Sequence, residues 1–132
     1  MRSNEAVYPI ISGDTIILIN DYGNLATGTK VELDFSGIEN KNLVNEAMNF
    51  IRYKYETKSA SVTYLRVLVP AVRCFYEFAK INDIDSFQDY DDELKNVYRD
   101  YLNNLEPGGR GQYSETYKRF LLAVPRTIQR GQ

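Results

Sequence analysis

The 132-residue chain has no histidine and no tryptophan, and Cys74 is its one cysteine. The missing histidine excludes imidazole-ligated metals, serine–histidine and cysteine–histidine catalysis, and switching by imidazole protonation. A single cysteine excludes an intramolecular disulfide framework. No apolar run approaches the ~18 residues of a membrane span. The opening stretch MRSNEAVYPIISGDTIILIN is interrupted by Pro9, Gly13 and Asp14, so it does not read as a signal peptide, and the expected compartment is the cytoplasm. What remains is ordinary for one folded domain: hydrophobic residues are 43% and charged residues 26%. A chain of this length hides roughly two thirds of its unfolded surface and holds a core without staples.

The net charge is −2, but it is laid out in blocks. Residues 1–40 carry −4, residues 41–80 carry +4, residues 81–107 carry −6 and residues 108–132 carry +4. Alternating blocks can assemble one basic face on a nearly neutral protein.

Two styles of pattern follow. Asp14–Ile19 is isoleucine-rich, and Lys30–Phe35 alternates polar with apolar residues, so that Val31, Leu33 and Phe35 share a side. Turn formers lie between them, with Gly23 and Gly28 free to take positive φ. These segments predict a β-hairpin over residues 1–39, leaning on the helices that follow because a lone hairpin is marginal in water. From residue 40 the period is helical. Helices are expected near Asn42–Thr57, Ser61–Ile81, Asp91–Leu105 and Tyr113–Gln129, with Asn40 or Asn42, Ser59 or Ser61, and Ser114 as caps. The acidic start of the third suits the helix macrodipole, and Glu106-Pro107-Gly108-Gly109 stops it. Pro70 and Pro125 should kink or locally break the second and fourth helices.

The second helix is apolar around more than half its circumference, as befits the centre of a bundle. Its polar stripe holds Arg66, Arg73 and Lys80, spaced seven apart and so aligned along roughly 20 Å. Arg119, Arg126 and Arg130 cluster in the same way on the fourth helix, with Lys118 nearby. Hydroxyls open both helices: Ser59, Ser61 and Thr63 in one, Tyr113, Ser114 and Thr116 in the other. Taken singly these are caps and solvated charges. Together, helix-start donors with arginines behind them suit phosphate.

The stretch Leu43–Arg130 resembles the core-binding, SAM-like amino-terminal domain of tyrosine recombinases (phage-type integrases). That family's second helix opens with Ser-x-x-Thr followed by apolar residues at helical spacing. Here the segment SASVTYLRVLVPAVRCFYEFAK gives Ser61-x-x-Tyr64, then Leu68, Val72, Phe75 and Phe78. IDSFQDYDDELKNVYRDYLNNL is similar to the third-helix region, and QYSETYKRFLLAVPRTIQR to the last helix, with Tyr117 in place of threonine. The resemblance implies a mainly α fold, a four-helix core-binding bundle over residues 40–132 behind the hairpin. It implies a fragment lacking the catalytic domain, and so no enzyme in itself. It also implies a duplex DNA partner gripped by Lys54, Lys58, Ser59, Ser61, Thr63, Arg66, Arg73, Lys80, Ser114, Lys118, Arg119, Arg126 and Arg130. The family's carboxy-terminal catalytic domain and neighbouring protomers would be further partners. The acidic third helix and the acidic hairpin would face away from the duplex. No cofactor or metal is expected. The acids of DIDSFQDYDDE lack calcium-loop spacing and read as helix-start solvation. The competing reading is a helical protein–protein module of a phage or mobile-element regulator, whose basic rows meet an acidic partner. A small enzyme has no catalytic constellation to work with.

Overall fold

The structure is a computed structural model that describes residues 8–20, 28–105 and 113–132. It is mainly α, with four helices behind an antiparallel sheet. The sheet order is β1 (Ile10–Ser12), β2 (Thr15–Asn20), β3 (Thr29–Asp34). The helices are α1 (Lys41–Glu56), α2 (Val62–Ile81), α3 (Asp92–Asn103) and α4 (Glu115–Arg130), and a single 3-10 turn, Phe87–Asp89, precedes α3.

The expected hairpin is present as β2 and β3, and β1 adds a strand that the periodicity did not suggest. Ser12 pairs with Thr15, so Gly13 and Asp14 alone make the turn, and Gly13 takes φ 60 there. That turn is short because glycine reaches the left-handed region without a Cβ penalty. Leu18 lies opposite Val31 and Ile16 opposite Leu33, which puts all four on one face. That face is buried, together with Phe35. The expected turn over residues 21–27, with Gly23, and the expected helix stop at 106–109 lie outside the described residues.

Each helix begins where a side chain satisfies a backbone amide that has no partner within the helix. Asn40 accepts from Leu43 N, Ser61 from Tyr64 N, Asp91 from Leu94 N and Ser114 from Tyr117 N. Both α2 and α4 run through their prolines, so the local break expected at Pro70 and Pro125 does not occur. Buried neighbours on either side hold the backbone: Leu68, Ala71 and Val72 around one proline, Val124 and Ile128 around the other. Packing there offsets a proline cost of ~3 kcal/mol.

One core joins sheet and helices, with α2 through its middle. Leu65, Leu68, Val72, Phe75 and Ala79 are all buried, as the helical period requires. The Phe75 ring stacks on Phe87 at 5.0 Å and meets Tyr90 and Tyr98 edge-on at 5.7 and 5.4 Å. Two of the buried tyrosines keep their hydroxyls occupied. Tyr90 Oη donates to Leu122 O at 2.9 Å, and Tyr98 Oη donates to Cys74 Sγ at 3.4 Å. Gln129 ties α4 to the 3-10 turn through Nε2, which donates to Tyr90 O at 2.8 Å and Phe87 O at 3.0 Å. Glu46 of α1 grips the turn from the other side, accepting from Ser86 Oγ at 2.7 Å and Phe87 N at 2.9 Å.

Burial raises the pKa of both Tyr90 and Tyr98. The folded state therefore favours the neutral phenol, whereas the unfolded chain ionises near pH 10. This contribution to stability is complete below that pH and is lost as pH rises toward the folded values. The urea midpoint should fall steeply above pH ~10, with tyrosinate absorbance and loss of helical circular dichroism rising together. Tyrosines that all ionise near pH ~10 with the helices intact would show that the ring cluster is open to water.

Candidate nucleic-acid interface

The residues expected to contact DNA fall into three settings. The first is the corner between α1 and α2. Lys54, in the last turn of α1, holds its ammonium 5.5 Å from the centre of the Phe50 ring. Lys58 is exposed in the connection, with φ 55. Ser59 Oγ lies 2.7 Å from Thr57 Oγ1, Ser61 is spent as the α2 cap, and Thr63 is exposed in the first turn. Lys54, Ser59 and Ser61 line a shallow cleft whose other walls include Phe50, Tyr64 and Thr127.

The second setting is the polar stripe of α2. Arg66 is exposed and has no hydrogen bond or ion pair among the described residues. Arg73 is committed to the fold: Nη1 donates to Ser36 O and Nη2 to Asp34 O, both at 2.9 Å. The connection it holds is an Asx turn, in which Ser36 N donates to Asp34 Oδ1 at 2.9 Å. That hydrogen bond, with the Ser36 hydroxyl and the Arg73 charge, holds the Asp34 pKa below the usual carboxylate value. Lys80 pairs with Glu77 at 3.1 Å and sits 5.0 Å from the centre of the Tyr76 ring. The Glu77 hydrogen bond raises the Lys80 pKa. The row expected to be one cationic edge is thus divided: Arg73 is taken up by the β3–α1 connection, Lys80 pairs with an exposed neighbour on its own helix, and Arg66 stays open.

The third setting is the groove between α3 and α4, and here basic residues do gather. Lys118, Arg119, Arg126 and Arg130 come from α4, as expected. Lys95 and Arg99 come from α3, inside the acidic block that was expected to turn away from a polyanion. They are four apart and so share a face, with Leu102 a turn further on. That spacing was the available signal, and the block charge of −6 masked it. Two adjoining clefts make up the groove and share Lys95, Leu122 and Ala123. The first, of about 340 Å³, holds Lys95, Arg99, Lys118 and Arg119 with Glu115. The second, of about 450 Å³, holds Lys95, Arg126 and Arg130 with Asp92. Six cations therefore face two carboxylates.

Within the groove, Arg126 Nη2 lies 3.1 Å from Asp92 Oδ1. Such exposed pairs are worth ~1 kcal/mol or less and break readily. Arg119, Arg130 and Lys95 have no ion pair among the described residues, and Arg99 donates to Asn96 Oδ1 at 2.7 Å. Lys118, expected near the α4 arginines as a DNA contact, departs from them in being buried: it is 8% exposed. Its Nζ lies 2.9 Å from Asn103 Oδ1 and 3.0 Å from Glu115 Oε1. Ser114 is spent as the α4 cap.

Arg73 of the α2 row thus leans on the β3–α1 connection, whereas the α4 row lines a groove with α3. Among the described residues no group of three or more acidic or cysteine side chains is placed to hold a metal, and no helix is long and apolar enough to cross a membrane. Burial raises the pKa of the Cys74 thiol, the opposite of what an activated nucleophile needs. Comparison with protein-family models, with curated proteins and with solved structures finds no match to this chain.

Arg73→Met should lower stability by about 1–2 kcal/mol, the order of two charge-assisted hydrogen bonds at a partly exposed site. It should leave polyanion affinity within two-fold, roughly the spread of a residue outside the contact surface. A variant as stable as the parent, with binding lost, would return Arg73 to the interface.

Proposed function

We propose that this protein is a DNA-binding domain that seats duplex DNA on the α3/α4 groove through phosphate contacts. The observation that carries this reading is the imbalance of charge along the groove: Lys95, Arg99, Lys118, Arg119, Arg126 and Arg130 against Glu115 and Asp92. Cations crowded in a concave surface with too few internal counter-charges raise the local potential, and a polyanion relieves it. Arginine predominates, and its planar fork matches phosphate oxygens in pairs.

The more specific reading is the core-binding domain of a site-specific tyrosine recombinase or integrase, clamping one face of the duplex for DNA integration and recombination. The order of four helices and the serine caps of α2 and α4 support it, since these serines open the segments that carry the resemblance. On that reading catalysis belongs to a separate carboxy-terminal domain, and neighbouring protomers meet on the DNA. The exposed Lys58, Thr63 and Arg66 would extend the contact beyond the groove.

Titration of a labelled duplex at two salt concentrations tests the proposal. Binding should be of non-specific strength, on the order of 10⁻⁴–10⁻⁶ M, with log K falling against log salt by ~0.9 for each phosphate neutralised. Arg119→Gln and Arg130→Gln should each weaken binding and reduce that slope by ~1. Lys30→Gln, on β3 and away from the groove, should change neither. Salt-independent affinity, or full affinity in both arginine variants, would remove the groove from DNA binding and leave a helical module that meets an acidic protein.

A further inference from the structure

Lys118 is the one buried charged residue among those described. A buried ammonium must be hydrogen-bonded and paired, since a bare charge out of water is heavily penalised. It has three donors. Asn103 Oδ1 takes one and Glu115 Oε1 a second, and no other acceptor among the described residues takes the third. The two acceptors differ in character. Asn103 stands at the end of α3 and completes a neutral contact between helices. Glu115 sits in the first turn of α4 with its side chain 79% exposed, and reaches the ammonium from the solvent side. That ammonium lines the larger charge imbalance of the groove, where Lys95, Arg99 and Arg119 surround it and Glu115 is the lone carboxylate.

We infer that the Glu115 carboxylate is a stand-in for a ligand phosphate. It occupies Lys118 while the cleft is empty and yields its place when a phosphate group enters. The inference rests on the α3/α4 groove being the ligand face, and adds which phosphate subsite is deepest and which residue sets its threshold. A carboxylate brings one negative charge and two oxygens. A phosphate brings more oxygens in a tetrahedral array, able to meet Lys118 and the arginine forks of Arg99 and Arg119 together. An opening of about 340 Å³ has room for that group together with the displaced side chain. Displacement does not strip the ammonium, because the entering phosphate replaces Glu115 as the partner of Lys118, and the displaced carboxylate, already mostly in water, keeps its hydration. The adjoining cleft at Arg126 and Arg130 repeats the arrangement with Asp92 in the role of Glu115, so a ligand carrying successive phosphates can fill both.

The test compares Glu115→Gln with the parent protein and with Glu93→Gln, which removes an exposed carboxylate of α3 that lines neither cleft. Two probes are titrated, inorganic pyrophosphate and a labelled duplex, with melting temperature as the check on folding. Glu115→Gln should bind the probes about two- to five-fold more tightly than the parent, the order expected when one competing carboxylate leaves the cleft. Glu93→Gln should change affinity by less. A gain on both probes, or on duplex alone, supports the inference. A gain on pyrophosphate with no duplex binding by any of the three proteins also supports it and overturns the DNA reading. Duplex binding that is the same in Glu115→Gln and the parent, or a gain matched by Glu93→Gln, overturns it while leaving the DNA reading in place.

Discussion

The structure depends on the burial of one helix. α2 carries apolar side chains around most of its surface, and only enclosure removes them from water. The aromatic rings about Phe75 make that enclosure specific, because edge-on and stacked contacts with Phe87, Tyr90 and Tyr98 orient the 3-10 turn and α3 against it. Everything outside then takes its place by reference to α2. The sheet covers one flank, α1 and α4 cover others, and the polar stripe stays in solvent at Thr63, Arg66, Glu77 and Lys80 but passes the β3–α1 connection at Arg73. Where the stripe meets that connection, the fold takes its charge. This is why Arg73 ends as a structural clasp on Asp34 and Ser36.

The same enclosure creates the groove. With α2 and the aromatic cluster between them and the sheet, α3 and α4 meet along their outer edges, and what lies there is solvated on one side only. Lysine and arginine tolerate such a position because their stems lie on apolar surface while their heads reach water. Lys118 is the extreme case: its stem is buried and its head is satisfied by Asn103 and Glu115. Charge collects in the groove because α4 is basic overall and because the two bases of α3 share the face turned toward it. Few acids answer it there: Asp91 caps α3, Glu93 and Asp100 line neither cleft, and Asp92 reaches only Arg126.

Much of this was legible in the residues. The four helices lie where the 3.6-residue period put them, and capping decided their first residues: the choices left open at Asn40 or Asn42 and at Ser59 or Ser61 fell on Asn40 and Ser61, whose side chains reach the third amide onward. The β2–β3 pairing followed from alternation. The strand β1 was not legible, since three residues are too few to show a period and its signal lay in the Gly13-Asp14 turn. The local breaks expected at Pro70 and Pro125 failed because local rules carry no knowledge of the packing that continues a helix through a missing hydrogen bond. For the candidate interface, wheel angles grouped the bases of each helix but missed the burial of Lys118 and said nothing of what each edge would face.

What the sequence determined by itself was therefore the list of elements and the inner side of each one, because period, capping and turn chemistry act over a few residues. The tertiary structure alone decided which charges remain free. That depends on neighbours tens of residues away: Arg73 meets Asp34, and Lys95 and Arg99 meet the α4 row, only because the core brings those edges together, and no local pattern encodes such a distance.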